Sequence, residues 1–239
     1  MNHFIAKLQR FSPLDQGDIA MLADATSYSR PWPRLRDIIR EGDRPGPVIV
    51  VLDGWACRYK VLPGGSRQIT AFLMPGDSCD LHAGMLAEMD HSIQAVTSAS
   101  VVMISREKME TMLDAHPRIA KAMYIAQLVD EGTLRAWIVS MGRRTSKERL
   151  AHLMCELYLR AKNVGIEDGQ DLTLPLSQAT LADAVGLTPV HVNRVLRELR
   201  EEGVMILQRG SLHIANPVRL AKVAGFDENY LHRRIRSAA

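Results

Sequence analysis

The side chains best placed to do chemistry in this sequence fall into two clusters. Between positions 177 and 211 lie Ser177, Gln178, Thr188, His191, Asn193, Arg194, Arg197, Arg209 and Ser211. Arginine and asparagine can each make two parallel hydrogen bonds to a base edge in the major groove, so Arg194 suits guanine and Asn193 suits adenine. Ser177, Gln178, Thr188, Arg197 and the Arg209–Ser211 segment suit phosphates, which fix register rather than sequence. The second cluster is Cys79, Asp80, Leu81, His82, His91 and Ser92. Thiolate and imidazole are ligands for zinc, copper or haem iron. Cys-x-x-His stands here without the second pair that would complete a zinc site, so no metal is assigned and Cys79, His82 and His91 are kept as candidates only.

The elements that must position the first cluster can be read locally. Leu172–Leu176 reads as a short strand. Ser177 caps a helix through Val185, and Gly186 stands where a left-handed backbone suits a turn. Thr188 caps a second helix with Pro189 at its first position, where a missing N–H costs nothing. In that helix Val192, Val195, Leu196 and Leu199 form the inner face, which leaves Val190, His191, Asn193, Arg194 and Arg197 outside. Glu201-Glu202-Gly203 stops it. Val204–Leu207 and Leu212–Ala215 then read as a β-hairpin with Gln208-Arg209-Gly210-Ser211 at its tip. Helix, turn, helix and hairpin together make a DNA-reading unit with a wing.

Upstream, the first 25 residues read as short helices, with Ser12 or Asp15 able to start the segment ending at Leu22. Glycine turns at Gly42, Gly54, Gly64-Gly65 and Gly76 then recur about every 11 residues, the interval of a small all-β roll. Val48–Leu52, Ala56–Leu62, Arg67–Leu73, Gln94–Thr97 and Ser100–Ile104 are the expected strands. Helix returns at Ser105–Ala115, and His116-Pro117 breaks it. A long helix is expected over Arg118–Met141. Ile119, Ala122, Ala126, Val129, Thr133, Ala136 and Ser140 follow a 3-4 spacing, a seam that favours a helix shared between two subunits over one packed on its own domain. Gly142–Thr145 reads as a hinge, Ser146–Lys162 as a helix, and Asn163–Asp171 as a polar loop.

Composition bounds the rest. A chain of 239 residues with 46% hydrophobic and 24% charged residues can bury a core without staples. Residues 141–239 hold 15 Lys/Arg against 11 Asp/Glu, and the remainder holds 15 against 16, so the positive charge sits in the C-terminal part. Three widely spaced cysteines fit a reducing cytoplasm better than a disulfide framework. The first residues do not read as a signal peptide, and no apolar run is long enough for a membrane span. A cupin-like metalloenzyme built on Asp80, His82, Asp90 and His91 would need ligands on separate strands. These residues share one loop-rich segment, so a non-enzyme is expected.

The glycine-punctuated roll, the long helix and the run Leu-Ser-Gln-Ala-Thr-Leu-Ala-Asp-Ala-Val-Gly-Leu-Thr-Pro-Val-His-Val-Asn-Arg (176–194) with its wing resemble the Crp/Fnr family of regulators over nearly the whole chain. The resemblance implies an α+β chain. It has a cyclic-nucleotide-binding-like, jelly-roll-like sensor over 1–116, a dimerisation helix over 117–142 and a winged helix-turn-helix over 143–239. It also implies a homodimer on a two-fold symmetric double-stranded DNA site, with RNA polymerase as a partner, and base-facing roles for Pro189, Val190, Asn193 and Arg194. Val190 departs from a glutamate common in the family. Valine accepts no hydrogen bond from cytosine but can touch a thymine methyl.

The sensor departs further. Counted without gaps from Gly76-Asp77, the family's Gly-Glu-Leu and Arg-Ser/Thr-Ala anchors fall on Asp80-Leu81-His82 and His91-Ser92-Ile93. A neutral histidine replaces a bidentate guanidinium poorly, and Asp80 repels an anion, so tight binding of cyclic AMP is not expected. There is no cysteine before Cys57, so no iron–sulfur cluster is expected either. The effector stays open: a small organic molecule, a haem or metal, or none.

Overall fold

A computed structural model describes residues 2–166 and 171–232, so part of the expected Asn163–Asp171 loop lies outside the described residues. The chain forms two compact units, Met1–Val61 with Ala71–Leu128, and Leu62–Thr70 with Val129–Ala239.

The first unit opens with α1 (His3–Phe11) and α2 (Gln16–Ala25). The Asn2 side chain accepts from two backbone N–H groups of α1, and a capping box between Asp15 and Asp18 starts α2. Eight strands and a helix follow: β1 (Arg30–Trp32), β2 (Asp37–Ile39), β3 (Val48–Asp53), β4 (Ala56–Val61), β5 (Arg67–Leu73), β6 (Ser78–Cys79), β7 (Ser92–Ala95), β8 (Ala99–Ile104) and α3 (Arg106–Ala115). They form two four-stranded sheets, ordered β1-β8-β3-β6 and β2-β7-β4-β5.

Strand β3 is an almost unbroken apolar run because both of its faces are covered. Val48 and Val50 pack with Phe4, Leu8, Leu22, Met109 and Met112 from the helices. Ile49 and Val51 point the other way, into a core with Ile39, Ala56, Leu73, Met89, Ile93 and Val101 from both sheets. The four main expected strands lie within two residues of β3, β4, β5 and β8. The expected Gln94–Thr97 strand sits two residues earlier, as β7. Strands β1, β2 and β6 were not expected.

The second unit holds α5 (Ser146–Val164), β9 (Asp171–Thr173), α6 (Gln178–Val185), α7 (Pro189–Glu201), β10 (Ile206–Gln208), β11 (Ser211–His213) and α8 (Pro217–Ala224). Helix α4 (Pro117–Arg143) precedes them and runs through Gly142, so the expected hinge narrows to Arg144-Thr145. Thr145 and Glu148 form a capping box that starts α5 at once.

The seam read in α4 needs correction. Ile119, Ala122, Ala126, Val129, Thr133 and Ser140 are buried within the single chain. Ile119, Ala122 and Met123 belong to the helical side of the first unit's core. Further along, Trp137 donates its indole N–H to Glu156 of α5 at 2.9 Å. At Gly132 a Cβ would stand 2.7 Å from the Tyr230 carbonyl oxygen, so the chain itself lies against the helix there. The apolar side chains that α4 leaves exposed are Tyr124, Leu128, Leu134, Ile138 and Val139.

The start of α4 is tied to α2 by a buried carboxylate. His116 Nδ1 lies 2.9 Å and Arg118 Nε 2.7 Å from Asp18, and Arg118 also reaches Asp15. Burial opposes ionisation of Asp18, but the hydrogen bonds from Arg118, His116 and the Asp15 backbone outweigh it and hold the carboxyl down to about 2. The unfolded carboxyl, at its ordinary 3.8, takes up a proton more readily. The stability it contributes is therefore complete above about pH 4 and is lost as pH falls toward 2. Asp18→Asn is expected to cost roughly 2 kcal/mol at neutral pH and to flatten the acid limb of a series of thermal melts. Wild-type-like melting at neutral pH would show that this carboxylate carries no load.

Candidate nucleic-acid interface

Helix α6 begins at Ser177, whose hydroxyl accepts from the Thr180 backbone N–H at 3.0 Å. It ends at Gly186, whose backbone is left-handed, φ 63 and ψ 43. A side chain there is strained, and its Cβ would also press on Met141 Cε at 2.5 Å. Thr188 caps α7 by accepting from the His191 N–H at 3.2 Å, with Pro189 in the first turn. Val192, Val195 and Leu199 are buried, and Leu196 is half-buried. This anchoring sets the rotation of α7 about its axis. The opposite face is thereby fixed outward, carrying Pro189, Val190, Asn193, Arg194 and Arg197.

The outer face is ordered by its own contacts. Arg194 Nη2 lies 2.8 Å from His191 Nε2, and Arg194 Nε lies 3.8 Å from Glu198. The guanidinium is 60% exposed, so it is steadied yet free to meet a partner. Asn193 donates to the Gln178 side chain at 3.3 Å, which links the outer faces of α6 and α7. Val190 is 81% exposed at the start of α7, a large apolar group with nothing of its own chain to cover it. Arg197 pairs with Glu201 at 3.6 Å, also in the open.

Strands β10 and β11 pair from Ile206↔His213 to Gln208↔Ser211, and β9 completes a three-stranded sheet through Leu212↔Leu172. Arg209 and Gly210 both have positive φ, 50 and 78, as a two-residue hairpin turn with the right-handed strand twist requires. The turn lifts Arg209 to the exposed tip, with Ser211 beside it. Every residue read as DNA-facing is therefore exposed except His191, which is half-buried and contacts Arg194. The expected wing strands are shorter than read, because Val204 and Met205 drop into the core before the hairpin begins.

Sequence reasoning missed the clamp behind this face. Arg149 of α5 donates to Val185 O at 2.6 Å, to Met141 O at 3.1 Å and to Arg144 O at 3.3 Å. It therefore gathers orphan carbonyls from the C-terminal ends of α4 and α6. Nearby, His152 stacks on Tyr230, and burial pushes its imidazole down to about 4. The Cys155 thiol is pushed up to about 12 by burial, which makes it unreactive.

The second cluster converges only in part: Asp80 and His91 meet at 3.2 Å, while Cys79, Leu81, His82 and Ser92 are engaged elsewhere. Cys79 is buried in the core between the sheets, with its Sγ 3.9 Å from Ile49 O. Leu81 packs in the helical core. His82 is exposed and stacks on Tyr124 with ring centroids 6.4 Å apart. Ser92 Oγ accepts from the Glu41 N–H at 2.9 Å. His91 turns instead to Asp80, Asp90 and Arg58, the last a residue that the sequence did not single out. Among the described residues, no group of three or more His, Cys, Asp or Glu side chains could hold a metal ion, and no helix is long and apolar enough to cross a membrane.

Comparison with known proteins places both units. Residues 30–116 match the model of the cyclic nucleotide-binding domain, and residues 148–223 match that of the Crp-like helix-turn-helix domain. The chain is 26% identical over 220 residues to the transcriptional activator protein FnrL of Cereibacter sphaeroides, covering 90% of this chain and 87% of FnrL. It is 26% identical over 175 residues to the nitrogen fixation regulation protein FixK of Bradyrhizobium diazoefficiens, covering 73% and 72%. Its fold is similar to that of FixK2 from Bradyrhizobium japonicum, with a TM-score of 0.72, 23% identity, and 82% of this chain and 96% of that one covered. A nucleotide-binding-type roll followed by a winged helix-turn-helix, matched in that order over most of the chain, makes this protein a member of the Crp/Fnr family of DNA-binding transcription regulators, which are not enzymes.

Proposed function

We propose that the protein acts in the cytoplasm as a homodimer on a two-fold symmetric DNA site, with α7 of each subunit in the major groove. The observation that carries this reading is the outer face of α7. Its helix is locked by buried Val192, Val195 and Leu199, while Val190 and Arg194 stand exposed and aligned. Arg194 reads a guanine, Asn193 an adenine edge and Val190 a thymine methyl, and Pro189 packs beside them. Ser177, Gln178, Thr188, His191, Arg197, Arg209 and Ser211 hold phosphates or steady the readers.

The dimer reading is supported by the exposed apolar row on α4 rather than by the buried seam. Tyr124, Leu128 and Ile138 recur at helical spacing, and the Glu131–Arg135 pair at 3.4 Å lies between them. Such a row on a helix is the sort of surface that a second copy covers. The two recognition helices would then meet successive major grooves about 34 Å apart. RNA polymerase is the partner we assign to the bound dimer, since relatives such as FnrL are described as transcriptional activators.

Cyclic AMP is not the effector in this reading. Leu81 is committed to the core, and His91 is engaged by Asp90 and Arg58. No iron–sulfur cluster is assigned, since no cysteine precedes Cys57 and the sequence has only three.

Selection of genomic fragments by the purified protein, at stated salt and with nothing added, is expected to return a two-fold symmetric motif. Arg194→Ala should cost about 1–3 kcal/mol on that motif and relax one base position, while Val190→Glu should move a neighbouring preference from thymine to cytosine. Unchanged affinity and motif in both variants would remove α7 as the reader. Ile138→Glu is expected to yield monomers by light scattering and to weaken binding to the symmetric site on the order of a hundredfold. A variant that stays dimeric would place the interface elsewhere.

A further inference from the structure

The segment between β6 and β7 brings together charged side chains that neither the DNA-facing surface nor the core uses. Asp80 follows β6, and its backbone is left-handed with φ 65, a region that residues other than glycine enter at a cost. Its side chain is only 5% exposed. One oxygen, Oδ1, lies 3.8 Å from Arg58 Nη2 and 3.2 Å from His91 Nε2. The other, Oδ2, is buried and has no hydrogen-bond partner. Arg58 Nε donates to His91 Nε2 at 3.2 Å, and His91 Nδ1 lies 2.6 Å from Asp90 Oδ1. The Arg58 and His91 side chains are about as deeply placed as one another, 16% and 14% exposed, whereas Asp90 is 77% exposed at the rim. The hydrogen bond to His91 holds the Asp90 carboxyl below its usual range, and Lys60, itself paired with Glu41 at 2.9 Å, adds to the positive field there.

Asp80 thus combines three features that packing does not explain. It sits in a strained backbone, it buries a carboxylate, and it leaves one oxygen of that carboxylate unsatisfied. Buried charges are retained where another charge demands them, and here the demand comes from Arg58. Arg58 lies mid-strand in β4, paired with Ile93 of β7, so the sheet register fixes it next to His91. His91 Nε2 accepts from Arg58 Nε and so steadies the guanidinium, whose Nη2 is the atom turned toward Asp80, and guanidinium is the group best suited to recognition of phosphate.

We propose that Asp80 is a tethered anion: its carboxylate stands against Arg58 and His91 where a ligand phosphate would stand, so the roll is self-occupied, and removing that carboxylate opens a site for a phosphate-bearing ligand. This deepens the reading that the wild-type roll takes no cyclic AMP. It explains that behaviour by occupation of the site as well as by the absence of the family's anchoring residues. The cation is present in this roll, supplied from β4 instead of from the β6–β7 segment, and it is neutralised internally.

The test uses the full chain, with inorganic phosphate and cyclic AMP as separate probes in calorimetry and thermal shift. Asp80→Gly removes the carboxylate and suits φ 65 without strain. Asp80→Ser removes the charge and most of the side-chain volume, which guards against a folding defect peculiar to the first variant. Both are expected to bind inorganic phosphate roughly tenfold or more tighter than wild type. Cyclic AMP binding tighter than inorganic phosphate would extend the site to the nucleoside. Adding Arg58→Gln to either variant should abolish the gain. The proposal falls if wild type binds phosphate as tightly as the variants, or if both folded variants bind neither probe. Selection of DNA fragments reads a different surface, so its failure alongside a gain of phosphate binding would overturn the proposed effector-free binding to a symmetric site and leave the tethered anion standing.

Discussion

One guanidinium holds the reading surface in place. The last carbonyls of a helix have no partners within it and carry its partial negative charge. In the second unit two such ends, those of α4 and α6, meet at Arg149. The arginine stands in the first turn of α5, just after the two-residue break at Arg144-Thr145, so the point where a hinge was expected is cross-linked by three hydrogen bonds. Two turns further along α5, Glu156 is fully buried and receives Trp137 of α4, Arg160 and Tyr230. Burial pushes its carboxyl up, and the three donors push the other way. Together Arg149 and Glu156 fasten the second half of α4 to the helix on which the reading pair is built.

The parts of the molecule legible from sequence are those whose cause is local. Ser177, Gly186, Thr188 and Pro189 each announce their position through a cap, a left-handed turn or a missing donor, and all four stand where they were read. Strand β5 carries the bounds expected of it, because a short strand-forming run between two glycine turns leaves little choice. Strands β1 and β2 escaped because three residues such as Arg30-Pro31-Trp32 carry no periodicity, and their pairing with β8 and β7 is decided by partners some sixty residues away. Strand β7 was displaced because Ser92, at its start, is buried through a hydrogen bond to a backbone N–H and not through apolar character.

The α4 seam shows a different limit. Periodicity tells that one face of a helix is buried, but not whose atoms bury it. Small residues at 3-4 spacing suit close helix approach, and here the approach comes from within the chain. The Arg58–Asp80 pair lay beyond sequence reasoning for a related reason. Gapless counting compares positions along one segment, whereas the cation arrives from a neighbouring strand through sheet register. The weighing of Cys79, His82 and His91 as one cluster failed likewise, since residues close in sequence on a strand end and a turn face opposite directions.

The division of labour on α4 has a consequence for cells that hold several regulators of this kind. The small residues of the seam are fixed by intrachain packing, so changing them disturbs the fold before it alters any choice of partner. Leu128, Leu134, Ile138 and Val139 are exposed and stand outside that packing, and Tyr124, also exposed, stacks on the His82 ring. In the dimer proposed above, variation confined to that row would let duplicated copies drift apart in pairing preference while keeping one architecture, since specificity is a difference of affinities that a few mismatched contacts can supply. In that proposed dimer, insulation between paralogous circuits would be written on one stripe of one helix, separately from the outer face of α7.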